Sequence, residues 1–463
     1  MIKKETLSRR RSQLKKDMGG GLLLFLGNGE AAMNYADNTY RFRQDSTFLY
    51  FFGLDYAGLA AVIDVDNDRE IVFGDDLTID DIVWTGAMPS QRENCAAVGI
   101  SETLPLSHLP LYLDKARAQG QPIHFLPPYR GEHKVWLQEL LGIEPAAQAA
   151  QASVAFIKAV VQQRNHKDEE EVRLIEESVD LSTMMHLAAY RMVRPGLHEA
   201  EVAAVVEQVA CSHQGNLSFP TIATVQGQVL HNHGFIHQLK EGDIFLLDAG
   251  AETRAHYAGD LSSAMPVGER FTDRQAEVYN IHLRSFWAAV DCLQPGRPFR
   301  EAHIAAATEI ARGMKELGLM KGDPAEAAEC GAYALFFPCG LGHMMGLDVH
   351  DMENLGEQYV GYADGMQKST QFGFKSLRLA RPLEPGFVFT VEPGIYFIPE
   401  LMDRWEAEHR FTDFICYDRL GPWRDFTGLR NELNYLITPD GARLLGTIKK
   451  PMTIEEVYAA KSY

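Results

Sequence analysis

Basic residues are scarce in this sequence relative to acidic ones, and long apolar runs are absent. The chain has 463 residues with 44 Lys and Arg against 63 Asp and Glu, a formal net charge of −19. Nucleic acids and anionic membranes are bound through basic patches, so the charge argues against both kinds of partner. No stretch approaches the roughly 18 consecutive apolar residues of a membrane-spanning helix. We therefore expect a cytoplasmic protein that binds neither nucleic acid nor membrane.

Cysteine is also scarce. The six cysteines are scattered and contain no CxxC pair, so neither a disulfide framework nor a thiolate-rich structural zinc site is indicated. Near the N-terminus, the apolar run LLLFL follows basic residues but is too short for the core of a signal peptide. We predict reduced thiols throughout and an internal strand at LLLFL.

The sequence contains two regions of different pattern. Residues 1–160 mix short β-rich runs with turns, as in LAAVIDVDNDREIVFGDD, where two apolar runs flank an Asp-Asn-Asp turn. The charged segment KDEEEVRLIEESVDLSTMMHLAAYRMV then predicts a helix that ends before Pro195 and Gly196. Beyond it, helices alternate with strands. We predict a mixed α/β (α+β) protein of two domains, residues 1–160 and residues 161–463.

Two segments of the second domain resemble each other. GDIFLLDAG (242–250) and GFVFTVEPG (386–394) each predict a buried strand that ends in a carboxylate. The tetrapeptides HNHG (231–234) and HMMG (343–346) precede them and share the pattern H-x-x-G. Either short apolar strands are alike by chance, or the domain contains two duplicated halves that face each other. In the second case, matching groups from both halves would meet at one site.

Four acidic residues and one histidine are candidates for a metal site. Asp248 and Glu392 end the two similar strands, and His343 belongs to HMMG. Asp260 lies in HYAGDLSSAMPVG, the predicted next strand after a hairpin, and Glu432 lies in the strand-like run GLRNELNYLIT. Each residue alone is ordinary, because an Asp at a strand end is commonly a turn or cap residue and a His beside methionines commonly belongs to the core.

Together, the four carboxylates point to metal ions. Carboxylates that converge at apolar strand ends repel one another, so either they protonate or cations hold them. Two divalent ions balance four carboxylates and leave an oxygen-rich site with one nitrogen ligand, which suits Mn²⁺, Co²⁺, Fe²⁺ or Zn²⁺. Two such ions can share a bridging water, lower its pKa and present hydroxide to a carbonyl. The chemistry indicated is metal-assisted hydrolysis of an acyl or amide bond.

Four ordered motifs, DAGAETRAHYAGD, GHMMGLDVHD, VEPG and GLRNEL, are similar to those of the dinuclear-metal pita-bread peptidases. That family includes prolidase, aminopeptidase P and, more distantly, methionine aminopeptidase. The segment YRFRQDSTFLYFFG (40–53) resembles the start of the creatinase-type N-terminal domain that prolidase and aminopeptidase P carry. The resemblance implies a creatinase-like N-terminal α/β domain, followed by a pita-bread catalytic domain with two pseudo-two-fold related halves.

The resemblance also implies roles for individual residues. Glu392 would carry the proton of the attacking water as well as bind metal. His350 would contact the substrate and stabilise the developing oxyanion, and His231 matches another active-site histidine. Two divalent ions per subunit are implied, Mn²⁺ first, with Co²⁺, Zn²⁺ or Fe²⁺ as alternatives. The metal ligands would be Asp248, Asp260, His343, Glu392 and Glu432.

Two further features bear on the substrate. KSLRLARPLEPG (375–386) resembles the prolidase segment with a carboxylate-binding arginine, and the matching residue is Arg378. Arg430 precedes Glu432 by two residues, so on a strand both side chains share a face and the arginine can balance the site. The insertion IPELMDRWEAEHRFTDFICYDRLGPWRDF (398–426) resembles longer prolidases, although a surface hairpin without a substrate role is an equal alternative. We favour hydrolysis of Xaa-Pro dipeptides, with Xaa-Pro aminopeptidase activity on longer peptides as the alternative.

Three positions depart from the family's pattern. Asp248 and Asp260 are twelve residues apart, one more than usual, which a hairpin tip can absorb. Cys339 stands where the family usually has a histidine, a change that bears on substrate preference or rate. Leu433 replaces the usual acid after the last ligand, and Asn431 precedes that ligand.

Pita-bread domains also occur as non-catalytic binding proteins, which typically lose metal ligands. All five ligand positions are kept here, so hydrolysis is the favoured hypothesis over binding alone. The family's habit further implies a homodimer, formed through the N-terminal domain, that acts on proline-containing di- or oligopeptides.

Overall fold

The computed structural model describes residues 2–462 and divides the chain into two compact units. One unit comprises the chain up to Arg164 together with Met352–Tyr359, and the other comprises Asn165–Asp351 and the chain from Val360 onward. The sequence-based boundary at residue 160 stays a prediction. The short excursion Met352–Tyr359, which joins the first unit from deep in the second half of the chain, was not foreseen.

The first unit is built on one mixed five-stranded sheet with the strand order β4-β3-β2-β1-β5. The predicted strand at LLLFL is its β1, and the two apolar runs around the Asp-Asn-Asp turn form the antiparallel pair β2 and β3. The strands are β1 (Leu22–Leu26), β2 (Ala60–Asp64), β3 (Arg69–Phe73), β4 (Glu102–Leu104) and β5 (Ile123–His124). The α-helices in this part of the chain are α1 (Lys4–Met18), α2 (Ser46–Phe52), α3 (Ile79–Thr85), α4 (Gln91–Ala97), α5 (Leu109–Ala118), α6 (Gly131–Leu141), α7 (Pro145–Gln151) and α8 (Val154–Asn165).

The second unit contains two three-stranded antiparallel sheets, ordered β10-β8-β7 and β11-β14-β15. Its strands are β6 (Asn216–Leu217), β7 (Ile222–Thr224), β8 (Ile244–Ala249), β9 (Ala251–Glu252), β10 (Leu261–Pro266), β11 (Val388–Val391), β12 (Gly394–Tyr396), β13 (Gly428–Arg430), β14 (Leu433–Thr438) and β15 (Gly441–Leu444). The α-helices that follow along the chain are α9 (Glu169–Met192), α10 (Glu199–Ser212), α11 (Asp273–Val290), α12 (Phe299–Glu316), α13 (Pro324–Cys330), α14 (Glu357–Val360), α15 (Pro399–Ala407) and α16 (Ile454–Lys461).

The long helix α9 begins and ends where its sequence predicts. The Asp168 side chain accepts hydrogen bonds from the backbone N–H groups of Glu170 and Glu171, and the Glu171 carboxylate reaches back to the Asp168 backbone. This reciprocal pair satisfies donors that the first helical turn leaves unpaired. The helix stops at Met192, before the Pro195 that could not continue it.

The two acid-ending strands were predicted correctly, but the H-x-x-G comparison was wrong. In β8, Leu246 lies opposite Thr224. In β11, Thr390 holds the place relative to Glu392 that Leu246 holds relative to Asp248, and its backbone N–H donates to the His343 carbonyl oxygen at 3.0 Å. Thr224 is therefore the counterpart of His343 in the strand register, and His231 is not, because a similarity of four residues does not fix the pairing of strands.

Two segments differ from the sequence-based interpretation. GLRNELNYLIT was expected to form one strand, but β13 ends at Arg430 and β14 begins at Leu433, which leaves Glu432 in the break. Residues 398–426 connect the antiparallel strands β12 and β13, as a hairpin insertion would, but they start with α15 and continue in short turns rather than as further strands. Trp405 of α15 is buried and packs edge-on against the Phe372 ring at 5.7 Å. An amphipathic helix that covers an aromatic side chain accounts for the difference.

Candidate active site

A cavity of about 480 Å³ opens in the second unit. All of the site residues singled out in the sequence line it: His231, Asp248, Asp260, His343, His350, Arg378, Glu392, Arg430 and Glu432. The insertion 398–426, which the structure describes in full, contributes no residue to the lining. Residues from strand ends far apart in the sequence therefore meet in one concave, partly apolar space, which is the usual character of a ligand site.

The carboxylates reach the cavity from the ends of paired strands. Asp248 lies in β8 and Asp260 immediately precedes β10, the antiparallel neighbour in which Ser262 lies opposite Asp248. Glu392 directly follows β11, and the antiparallel pairing of β11 with β14 brings Glu432 close to it. The strand register thus gathers four carboxylates that the sequence spreads over more than a third of the chain.

His343 is oriented by its neighbours. Its Nδ1 lies 3.0 Å from the Met344 carbonyl oxygen, to which it donates. A proton on Nδ1 leaves Nε2 facing the Asp260 and Glu392 carboxylates, each 3.3 Å away. These three groups need a cation between them, which is a metal ion when one is bound and a proton otherwise.

One arginine organises two of the carboxylates. Arg430 donates to Asp248 Oδ2 at 2.5 Å, to Ser262 Oγ at 2.8 Å and to the Tyr396 hydroxyl at 2.7 Å. Arg430 also orients Glu432 indirectly, because the Ser262 hydroxyl donates to Glu432 Oε2 at 2.8 Å. Both Arg430 and Glu432 contact Ser262, as expected from their spacing of two residues.

Burial makes the negative charges of this cluster costly. It raises the pKa of Asp260 well above its usual value, and the neighbouring Asp248 and Glu392 carboxylates raise it further. Burial also raises the pKa of Glu432 well above its usual value, with additional increases from Asp260 and Glu392. The pKa of Asp248 is raised by burial as well, although Arg430 opposes the shift. In the protein without metal, Asp260 and Glu432 therefore favour protonation, whereas Asp248 has the Arg430 charge beside it.

The side chains fit divalent metal ions. Donor atoms of Asp260, His343 and Glu432 all lie within 4.8 Å of one another. Asp248 Oδ1 and Glu432 Oε1 are buried and have no hydrogen-bond partner among the described residues. Buried oxygens are normally paired, and carboxylate oxygens with one imidazole form a suitable ligand set for a divalent transition metal.

Two histidines border the cluster without belonging to it. The His350 ring centroid lies 4.1 Å from that of His343, with the rings tilted by 57°. The His231 side chain is exposed, and partial desolvation at the cavity lowers its pKa, as does the nearby Arg430 charge. A neutral His231 has one ring nitrogen that donates a hydrogen bond and one that accepts, which suits a group that contacts substrate.

Sequence reasoning missed several groups around the site. His233 lines the cavity, and its Nδ1 lies 3.3 Å from the Thr221 carbonyl oxygen. Thr390 donates to Glu392 Oε1 at 3.0 Å, just as Ser262 donates to Glu432. A usable signal existed, because Thr390 precedes Glu392 by two residues in an extended segment, which places both side chains on one face.

Sequence comparisons identify the family. Residues 173–439 match metallopeptidase family M24, and residues 7–124 match the N-terminal domain of aminopeptidase P. The chain belongs to metallopeptidase family M24. Membership makes the protein a metal-dependent peptidase, as the carboxylate cluster indicated, and the predicted N-terminal domain type is confirmed.

Relatives within family M24 carry two different activities in their names. The chain is 28% identical over 451 residues to the Xaa-Pro dipeptidase of Rattus norvegicus, covering 95% of this chain and 88% of the relative. It is 27% identical over 458 residues to a probable Xaa-Pro aminopeptidase of Metarhizium acridum, covering 92% and 88%. Zinc-substituted E. coli aminopeptidase P, solved with its product, superposes with a TM-score of 0.81 at 25% identity, covering 100% of this chain and 98% of that one.

The structural likeness confirms the predicted pita-bread fold of the M24 domain. No α-helix in residues 2–462 combines the length and hydropathy that a membrane crossing requires. All six cysteines are free thiols, as their spacing predicted.

Proposed function

We propose that the protein hydrolyses the Xaa-Pro peptide bond and that Xaa-Pro dipeptides are its preferred substrates. The observation that carries this choice is the presence of Arg378 in the same cavity as the carboxylate cluster. A dipeptide bound with its scissile bond at the cluster has its free carboxylate only a few bonds away. A guanidinium is well suited to bind that carboxylate through two hydrogen bonds.

The proposed cofactor is a pair of divalent metal ions, Mn²⁺ first, with Co²⁺, Zn²⁺ or Fe²⁺ as alternatives. Five residues would hold the ions: Asp248, Asp260, His343, Glu392 and Glu432. The unpaired oxygens of Asp248 and Glu432 and the oriented Nε2 of His343 support this assignment. When bound, two such ions supply an acidified water as nucleophile and polarise the substrate carbonyl.

The remaining chemistry belongs to side chains of this protein. Glu392 takes the proton from the attacking water, and Thr390 holds the carboxylate in place through its hydrogen bond. His350 donates a hydrogen bond to the oxygen on which negative charge develops, and His231 contacts the substrate. Arg430 keeps Asp248 and, through Ser262, Glu432 in fixed positions, so that little reorganisation accompanies the reaction.

The alternative substrate is a longer peptide that begins with Xaa-Pro, as expected for an aminopeptidase P. Relatives of both names resemble the chain to similar degrees, so the comparisons support either activity. Binding without catalysis has no such support, because the cavity keeps all five ligand side chains. The homodimer formed through the N-terminal domain and the cytoplasmic location stay predictions, and the first can be checked by sedimentation of the purified protein.

The test compares two substrates on one enzyme preparation. The protein is stripped of metal, reconstituted with Mn²⁺, and assayed with an Xaa-Pro dipeptide and with the Xaa-Pro-Yaa tripeptide that contains it. We expect a higher kcat/KM for the dipeptide. A higher value for the tripeptide would replace prolidase activity with aminopeptidase activity, and no turnover of either would refute the proposed function.

A further inference from the structure

A buried ion pair lies next to His350 and is not part of the carboxylate cluster. Lys167 Nζ lies 2.9 Å from Asp351 Oδ2, and the two side chains are each only 1% exposed. Asp351 directly follows His350, which faces the cavity. The two neighbouring side chains therefore point to different places: His350 lines the cavity, and Asp351 is buried in the protein interior.

The backbone at Lys167 is held in place by its neighbours. Its backbone N–H donates to the Gly386 carbonyl at 2.9 Å. Asp168, the next residue, caps the long helix α9. The ammonium group is therefore carried by backbone that is held on both sides, and it can hold Asp351 in one position.

The Lys167–Asp351 ion pair is tightly packed against Gly346. A Cβ placed on Gly346 would lie 2.5 Å from Asp351 Oδ2 and 3.0 Å from Lys167 Cε. Only glycine fits at this position without moving the ion pair. The Gly346 backbone thus forms one wall against which the pair is seated.

The loop between His343 and Asp351 closes on itself at this anchor. The Asp351 backbone N–H donates to the Met344 carbonyl at 2.9 Å, and Gly346 N–H donates to the Asp348 carbonyl at 3.0 Å. After Asp351, Met352 adopts a left-handed backbone with φ of +58°. Met352 begins the segment that belongs to the first unit. Asp351 is therefore the last residue of this loop in the second unit, and the ion pair with Lys167 holds it there.

We propose that Lys167 is a positioning residue for the reaction: its ion pair with Asp351 holds the loop that presents His350 to the substrate. The inference rests on the proposed function, because it assigns Lys167 an effect on the step in which His350 stabilises developing charge. Lys167 does not line the cavity and so acts only through the loop. Without it, Asp351 would be a buried charge lacking this partner, and the loop would move to let water or another donor reach the carboxylate.

The kinetic test is a double-mutant cycle between Lys167→Met and His350→Ala in the Mn²⁺-reconstituted full-length protein. In the wild-type background, Lys167→Met should lower kcat about tenfold with little change in KM, since a misplaced donor weakens interactions made in the transition state. In the His350→Ala background, Lys167→Met should cause almost no further loss. Equal losses in both backgrounds, or a change confined to KM, would overturn the proposal.

A second measurement does not depend on activity. In metal-free protein labelled with ¹⁵N-histidine, the imidazole signals of His350, assigned from the His350→Ala spectrum, should shift or broaden in Lys167→Met. The control is Arg443→Met, which removes an ion pair between β15 and Glu176 of α9 and should leave those signals and kcat unchanged. Unchanged His350 signals in Lys167→Met would contradict the proposal.

The experiments also cover the cases in which Lys167→Met does not fold or the wild-type protein is inactive. If Lys167→Met yields no folded protein, Lys167→Gln, which removes the charge but keeps a polar group beside Asp351, replaces it in both experiments, with smaller effects in the same directions. If the wild-type protein cleaves no Xaa-Pro bond, the proposed function fails. The histidine spectra then still decide whether Lys167 positions His350.

Discussion

The Arg430 guanidinium lies 2.5 Å from the Asp248 carboxylate, and this ion pair joins the end of β13 to the end of β8. Both side chains are almost fully buried, so solvent screens their attraction very little. The same guanidinium contacts Ser262 and Tyr396. A single cation thus sets the positions of groups contributed by three other segments of the metallopeptidase domain.

Replacing Arg430 should weaken metal binding. Arg430→Lys keeps a positive charge but cannot donate to three groups in fixed directions. We expect metal affinity to fall about 10- to 100-fold, the usual effect of losing a group that orients metal ligands. Calorimetric titration of stripped protein with Mn²⁺ measures it, with Arg443→Lys as the control on an exposed ion pair. Wild-type affinity in Arg430→Lys would show that Asp248 and Glu432 need no such support.

Replacing Arg378 should separate dipeptides from longer peptides. Losing a charge-assisted hydrogen bond costs about 2 to 3 kcal/mol, so kcat/KM for an Xaa-Pro dipeptide should fall about 30- to 150-fold in Arg378→Met. The tripeptide, whose carboxylate lies one residue farther away, should lose much less. Arg381→Met is the matched control, because Arg381 pairs with Glu384 outside the cavity. Equal losses for both substrates would remove the reason for preferring a dipeptidase.

The cavity thiol should be slow to alkylate. Burial raises the pKa of Cys339 to about 12, so at neutral pH the sulfur is almost wholly protonated, and the thiolate is the reactive form. Cys211 and Cys330 are exposed and should react first with iodoacetamide. Mass spectrometry of peptides after timed labelling gives the order. Labelling of Cys339 as fast as Cys211 would mean that its surroundings stabilise the thiolate.

A buried histidine away from the site should make the fold sensitive to acid. Burial lowers the pKa of His303 from 6.5 to about 3, and Arg300 contributes. In the unfolded protein, His303 gains a proton below pH 6.5. In the folded protein, it does not take up that proton until about pH 3. Stability is therefore fully present above pH 6.5 and is lost progressively as the pH falls toward 3.

The loss of stability at low pH can be measured by replacing His303 with a side chain that does not bind a proton in this pH range. His303→Gln should reduce the fall in unfolding free energy between pH 7 and pH 5 by about 2 kcal/mol. Its amide can still bond to the Tyr333 hydroxyl, which lies 2.6 Å from His303 Nε2. Urea unfolding at both pH values gives the result, with the exposed His213→Gln as control. The same pH dependence in His303→Gln and wild type would show that His303 titrates normally in the folded state.

Much of the site could be predicted because strand periodicity and charge are local. An apolar run that ends in an acid predicts where a carboxylate will emerge from a sheet, and Asp248 and Glu392 lie where this rule puts them. Repulsion among buried carboxylates then indicated cations before any distance was known. The N-terminal sheet followed equally well from β1 to β3, where apolar runs and a turn alternate.

What escaped prediction depends on contacts distant in sequence. The counterpart of His343 in the strand register is Thr224, which only the pairing with Leu246 reveals. The break at Glu432 and the excursion Met352–Tyr359 are likewise set by tertiary packing. Nothing near Lys167 in the sequence indicates Asp351, its ion-pair partner 184 residues away.

We propose that the carboxylate cavity is a two-metal centre for cleaving Xaa-Pro bonds. This proposal is tested most directly by titrating stripped protein with Mn²⁺ while following hydrolysis of an Xaa-Pro dipeptide and of the matching Xaa-Ala dipeptide. We expect no turnover without metal, activity on Xaa-Pro that saturates near two ions per chain, and little cleavage of Xaa-Ala. Full activity after metal removal, or equal cleavage of both dipeptides, would contradict the account.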